Sequence, residues 1–217
     1  MPLDNFSSLA NYFGIAIAFS DSKPVTGYAD IERFFLRCTM NFNNSRTAEG
    51  ILCWIDEYGH LLSPSKIRKL IRDGVPYDKV VLGGLLEFMK VRSVGGRPID
   101  ILKKYASKRE SPINVFEGPR IRNPAPYFKK VGLLIPNFAV DKAKFLRPRE
   151  YVLRSSLELR NRCLFGSVLN SDVASLLSKN PDLNAYAASK LTGHHKANVF
   201  KNFLDIRSGL GAGPSLS

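Results

Sequence analysis

A mainly α fold with small β elements is the class this sequence predicts, and three observations predict it. Several stretches carry apolar residues at helical spacing, with a polar capping residue before them and a glycine after. Only a few short runs are β-prone. The composition, 44% hydrophobic and 24% charged over 217 residues, is that of a folded globular chain, large enough for one big domain or two small ones.

Leu3 to Phe19 reads as a short helix followed by a buried strand, while Asp30 to Phe42 is an apolar segment that periodicity leaves open between helix and strand. Ser45 is placed to cap a helix carrying Ile51, Leu52, Ile55 and Tyr58 and ending at Gly59. A second helix opens with Ser63 and Pro64 and stops at Gly74. It sets Ile67, Leu70 and Ile71 on one face and Lys66, Arg68, Lys69 and Arg72 around the other. A third runs from Asp78 to about Met89, weakened in its middle by Gly83-Gly84. In Lys90 to Ile99 a Gly-Gly pair separates two β-prone runs, as in a hairpin, with Arg92 and Arg97 beside the turn. Ile99 to Ala106 then suggests a further short helix. Residues 107–126, rich in Pro and Arg, read as a linker, Tyr127 to Phe138 as a buried strand, and the chain beyond Pro148 as helical. The domain expectation is an N-terminal domain at 1–110, a linker and strand at 111–139, and a C-terminal helical domain at 140–217.

The 32 Lys and Arg against 19 Asp and Glu leave a net charge of +13, more than solubility requires, so a polyanionic partner is expected. The excess is not even. Residues 1–60 hold four basic and seven acidic side chains, residues 61–139 sixteen and six, and residues 140–217 twelve and six. Cys38, Cys53 and Cys163 have no close pairing, which fits reduced, mostly buried thiols. The first residues lack the basic start of a signal peptide, and the apolar run Phe13 to Phe19 is too short to span a bilayer. A cytoplasmic protein without a membrane partner is the expectation.

Three helices followed by a basic hairpin across 47–99 follow the order of a winged-helix unit, in which the third helix enters the major groove. The more specific stretch is Leu183 to Leu204. Ser189, Gly193 and Val199 keep the spacing of a small residue, a turn glycine and a branched apolar plug, and the segment around 171–205 resembles the helix-turn-helix of DNA-binding regulators. Three departures stand out: Ala188 supplies the usual alanine one residue early, His194 follows the glycine where an apolar residue is usual, and a late core position falls on Asn202 instead of Phe203. A one-residue adjustment in the turn repairs the last two. A helix from Asp172 to Ser178, capped by Ser171, would complete a tri-helical unit.

With Ala197, Phe200 and Leu204 taken as core-facing, Lys196, Asn198, Lys201 and Asn202 turn to solvent, with His194 and His195 near the helix start. Asn pairs with an adenine edge, Lys donates to guanine or phosphate, and helix-start amides attract phosphate. Arg147, Arg149, Arg154, Arg160 and Arg162 would extend a phosphate track. The expected nucleic-acid contacts are therefore His194, His195, Lys196, Asn198, Lys201, Asn202, Lys66, Arg68, Lys69, Arg72, Arg92 and Arg97. No phosphate loop, His-Glu-x-x-His, Gly-x-Ser-x-Gly or paired Cys-x-x-Cys occurs, so neither catalysis nor a metal or other cofactor is expected. The reading is a sequence-specific regulator on duplex DNA, acting as a homodimer. Its alternative is an RNA-binding or nucleoprotein-assembly factor using Phe116, Tyr127 and Phe128 among basic residues, with a metal-dependent nuclease third.

Overall fold

Side-chain caps decide where most of the helices begin. In the computed structural model, which describes residues 5–17, 23–94, 99–118 and 121–210, Asn5 opens α1 (Phe6–Tyr12), Asp30 opens α2 (Ile31–Met40) and Asn44 opens α3 (Ser45–Tyr58). Ser63 opens α4 (Pro64–Arg72), and Asp78, accepting from the amides of Val80 and Val81 at 2.8 Å each, opens α5 (Lys79–Val91). Each cap satisfies an amide that the first helical turn leaves unbonded. The ambiguous Asp30–Phe42 segment is helical because Asp30 caps it. Asn44, not Ser45, caps α3, leaving Ser45 as its first residue.

The chain continues through α6 (Pro126–Lys129), α7 (Lys142–Phe145), α8 (Arg149–Ser155), α9 (Leu157–Phe165), α10 (Val168–Lys179), α11 (Ala185–Thr192) and α12 (Lys196–Gly209). Two 3-10 segments, Gly59–Leu61 and Ile99–Tyr105, follow α3 and α5. Strands β1 (Ile113–Asn114) and β2 (Leu133–Leu134) form a two-stranded parallel sheet with Ile113 opposite Leu133. The fold is thus mainly helical with a minor sheet.

The larger core is built on α2, α3 and α5. Phe34 and Trp54 meet edge to face with ring centres 5.0 Å apart, and the Trp54 indole N–H donates to the carbonyl of Phe13 at 3.1 Å. The Gly83-Gly84 pair sits inside α5 because α6 lies against it: a Cβ on Gly84 would stand 2.1 Å from the Phe128 ring. Close approach of the Phe128 ring to the α5 backbone outweighs the weak helix propensity of glycine here.

The expected linker is part of this core. Within 107–126 Ala125 is buried in it and Val115 and Phe116 pack against it, while the burial expected of the following segment holds for Phe128, Val131, Leu133 and Ile135; Phe145, Val152 and Leu159 join the core further on. Within Tyr127 to Phe138 only Leu133–Leu134 is strand, and its start is helical. The winged-helix order is also revised. Lys90 and Val91 end α5 and Ile99 begins a 3-10 segment, so the described parts of the expected hairpin are not strand; Gly95, Gly96 and Arg97 lie outside the described residues. α5 is buried at every position from Val81 to Met89 except the half-buried Glu87, so it has no free face to read a groove.

A second, smaller core joins α10, α11 and α12. Val173, Ala174, Leu176 and Leu177 pack with Ala188, Val199, Phe203 and Ile206. α10 begins earlier than its apolar residues suggest, at Val168 after the cap Ser167, so Ser171 and Asp172 are buried within the helix. Among the described residues no helix is long and apolar enough to cross a membrane.

Candidate nucleic-acid interface

Gly193 ends α11 in the left-handed region at φ 70°, where a residue without Cβ turns the chain without strain. Gly193, His194 and His195 make the bend into α12. Val199 and Ala188 are fully buried in the smaller core, and Ser189 is buried as well. Phe203, one position past the expected Asn202, fills the late core place.

The buried face of α12 differs from the expected one. Val199, Phe203 and Ile206, spaced four and three residues apart, face inward, whereas Phe200 is 48% and Leu204 70% exposed and Ala197 is exposed. Ala197, Phe200 and Leu204 follow an equally good helical spacing, and it is the position of α10 that selects the other stripe. Lys196, Asn198 and Lys201 are nonetheless exposed and Asn202 half-buried. The opposite end of that face carries the exposed acid Asp205, so a polyanion would meet the first two turns.

α4 lies beside this bend. The Lys69 ammonium donates to the carbonyl of Gly193, 124 residues away in the chain, where a cation also complements the carbonyl end of α11. Arg72 is exposed and Arg68 half-buried on the same helix. Two basic segments that the sequence keeps apart therefore share an edge.

Lys66 is a correction. Instead of facing solvent it is 7% exposed, with its ammonium 2.6 Å from Asp172, 2.8 Å from Asp30 and 3.3 Å from Glu32. It donates further to the Tyr28 hydroxyl at 3.2 Å. Arg162 joins the same cluster, pairing with Glu32 at 2.7 Å and Asp172 at 2.9 Å. The His194 ring nitrogen Nε2 lies 2.9 Å from the second oxygen of Asp172. Lys66, Arg162 and His194 thus hold the α11–α12 bend against α2, α4 and α9 and are engaged within the protein, not offered to a nucleic-acid backbone beside α12. Burial alone would raise the Glu32 and Asp172 carboxyls, but the adjacent Lys66 and Arg162 overcome it and hold both below the ordinary carboxylate range, helped at Asp172 by His194. At Asp30 burial prevails over Lys66 and the carboxyl is pushed up.

A second polar set fixes the other end of α10. Glu158 accepts from Tyr12 at 2.6 Å, from Lys179 at 2.7 Å and from the Ala29 amide at 2.9 Å. These bonds orient the smaller core on the larger one, and no local pattern in the sequence announces them.

The other expected contacts lie apart from the bend or within the protein. Arg92 is bound by Asp56 at 2.6 Å, which also pairs with Lys142. Arg147 packs over the Tyr151 ring and donates to Asn11. Phe128 and Tyr127 are buried and Phe116 packs on Phe42 and Phe138, so these aromatics do not present a stacking surface. Two others do. Tyr186 and Phe200 are each 48% exposed, and the Lys196 ammonium lies 5.2 Å from one ring centre and 5.4 Å from the other, with Lys190 4.7 Å from Tyr186. Their spacing, Tyr186 to Lys190 and Lys196 to Phe200, is one helical turn, a signal present in the sequence.

Among the described residues no group of three or more His, Cys, Asp and Glu side chains is arranged to hold a metal ion. Comparison of the chain with protein-family models, with curated proteins and with solved structures finds no match in any of the three.

Proposed function

We propose that this protein binds duplex DNA as a sequence-specific regulator, with α12 as the reading helix in a helix-turn-helix arrangement of α10, α11 and α12. The observation that carries the reading is the Lys69 bond to Gly193, which brings the cationic side of α4 to the start of α12. Lys196, Asn198 and Lys201 then supply groups for base edges and phosphates while Lys69 and Arg72 flank them for the backbone. The net charge of +13 supports the same partner class. One such helix covers few base pairs, so the reading includes two copies on one site. The exposed Tyr186 and Phe200 favour a second reading, unpaired bases of RNA or single-stranded DNA stacked on these rings.

The test is fluorescence anisotropy of the full chain on a selected duplex, a scrambled duplex and one of the single strands, each over a salt series. Preference for the selected duplex is expected. Lys196→Ala should weaken all three ligands and reduce the salt slope by about one. Asn198→Ala should cost about 1–3 kcal/mol at one base position. Tighter binding to the single strand, abolished by Tyr186→Ala, supports the second reading and defeats the first. Stoichiometry in the same titration measures the number of copies.

A further inference from the structure

A cavity of about 570 Å³ opens between the start of α4, the end of α5, the 3-10 segment Ile99–Tyr105 and the end of α9. Its size is in the range of small-molecule sites. Its lining includes the apolar Phe35, Leu86, Met89 and Leu102 and the polar Arg149, Arg162 and His60. None of the described lining residues is acidic. The first turns of α4 and α10 also border the space, presenting the positive ends of two helix dipoles.

Arg162 supplies the independent sign that this cavity is built for a ligand. It is 4% exposed, and four of its five N–H groups are used: two toward Glu32, one toward the carbonyl of Leu61 and one toward Asp172. The fifth, on Nε, is buried and has no acceptor among the described residues. A buried guanidinium N–H without a partner is rare and calls for one.

We propose that this cavity binds a small amphipathic anion, with an aromatic or aliphatic body against the apolar lining residues and a carboxylate or phosphate head between Arg149 and Arg162. The head group supplies the acceptor that Arg162 lacks, and Arg149, at the more exposed side, adds a second charge-assisted contact. This site is separate from the α11–α12 surface, and its test contains no nucleic acid.

Cys163 lines the cavity and is exposed, whereas Cys38 and Cys53 are buried. Burial also pushes both of those thiols up, Cys53 to about 12, so a neutral alkylating agent reports on Cys163 first. The experiment follows iodoacetamide modification of the full chain by mass spectrometry, with naphthyl phosphate or uncharged naphthol as probe. Naphthyl phosphate should slow modification of Cys163 in a saturable way, and naphthol should need about tenfold more for the same protection. Arg149→Gln should weaken protection by naphthyl phosphate about tenfold. Ser65→Glu, a change at an exposed position on the cavity wall, should abolish it through charge repulsion while the thermal midpoint stays near that of the wild type. Absence of protection, equal protection by both probes, or protection unchanged in both variants overturns the proposal.

Discussion

Replacing Lys66 by Met tests whether the buried charge cluster is held by its central cation. Met keeps the apolar stem and removes the ammonium that lies 2.6 Å from Asp172, 2.8 Å from Asp30 and 3.3 Å from Glu32. Arg162 continues to pair with Glu32 and Asp172. Asp30, with its side chain 9% exposed, keeps the capping bond from the Arg33 amide but is left without a cation. It loses its charge only by taking up a proton, and from the ordinary aspartate value of 3.8 this costs about 4 kcal/mol at pH 7, at about 1.4 kcal/mol per pH unit. Loss of one partner from a buried ion pair typically costs about 3–5 kcal/mol, so the two routes agree. At pH 5 the same protonation costs less than about 2 kcal/mol. The Asp30 carboxyl is already pushed up by burial, so its ionisation opposes folding at neutral pH, and protonation relieves that cost. Glu32 and Asp172 have the opposite sign. Held low against the effect of burial by Lys66 and Arg162, they contribute stability that is present above the ordinary carboxylate range and lost as pH falls through their folded values. Urea unfolding followed by the single tryptophan, the fully buried Trp54, should therefore show a gap of about 4 kcal/mol between wild type and Lys66→Met at pH 7. The gap should fall below half of that at pH 5. A gap under about 1 kcal/mol at pH 7, or one that does not change with pH, refutes the reasoning.

Gly84→Ala gains about 1 kcal/mol in helix propensity but drives a methyl into the buried Phe128 ring, and overpacking of about 1–3 kcal/mol or more should prevail; a raised thermal midpoint would contradict the packing of α5 on α6. Gly193→Ala meets open space apart from the Lys69 ammonium at 3.8 Å, so its cost should be the left-handed backbone alone, about 1–2 kcal/mol by chemical denaturation. Glu158→Gln weakens the charge-assisted bonds from Tyr12 and Lys179 and should destabilise by about 1–3 kcal/mol. Amide exchange should then rise first in α10, and a uniform rise over the chain would speak against local anchoring. Lys69→Ala should lower duplex affinity with little change in stability, because surface cations rarely contribute more than about 1 kcal/mol to folding; loss of folding would assign it a structural role instead.

Local chemistry was legible wherever one short segment carries the whole signal. Ser63-Pro64 and Gly74 bound α4, Asp78 opens α5, and Gly193 and Val199 make the bend and the plug, because capping, missing Cβ atoms and branched side chains act within a few residues. The Arg- and Pro-rich stretch before Tyr127 misled for the converse reason. Its prolines mark turns, but turns say nothing about whether a residue between them, such as Ala125, is buried against distant segments.

The amino-acid order by itself determined the helical class, the starts of α4 and α5 and the concentration of positive charge beyond residue 60. Tertiary structure alone decided which lysines are enclosed and which stay at the surface. Lys66 and Lys69 differ by three positions on one helix, yet one is enclosed by Asp30, Glu32 and Asp172 and the other reaches the Gly193 carbonyl at the surface. Their surroundings come from segments more than a hundred residues apart. No periodicity within α4 encodes them, because a charge is buried or exposed according to what the rest of the chain packs against it.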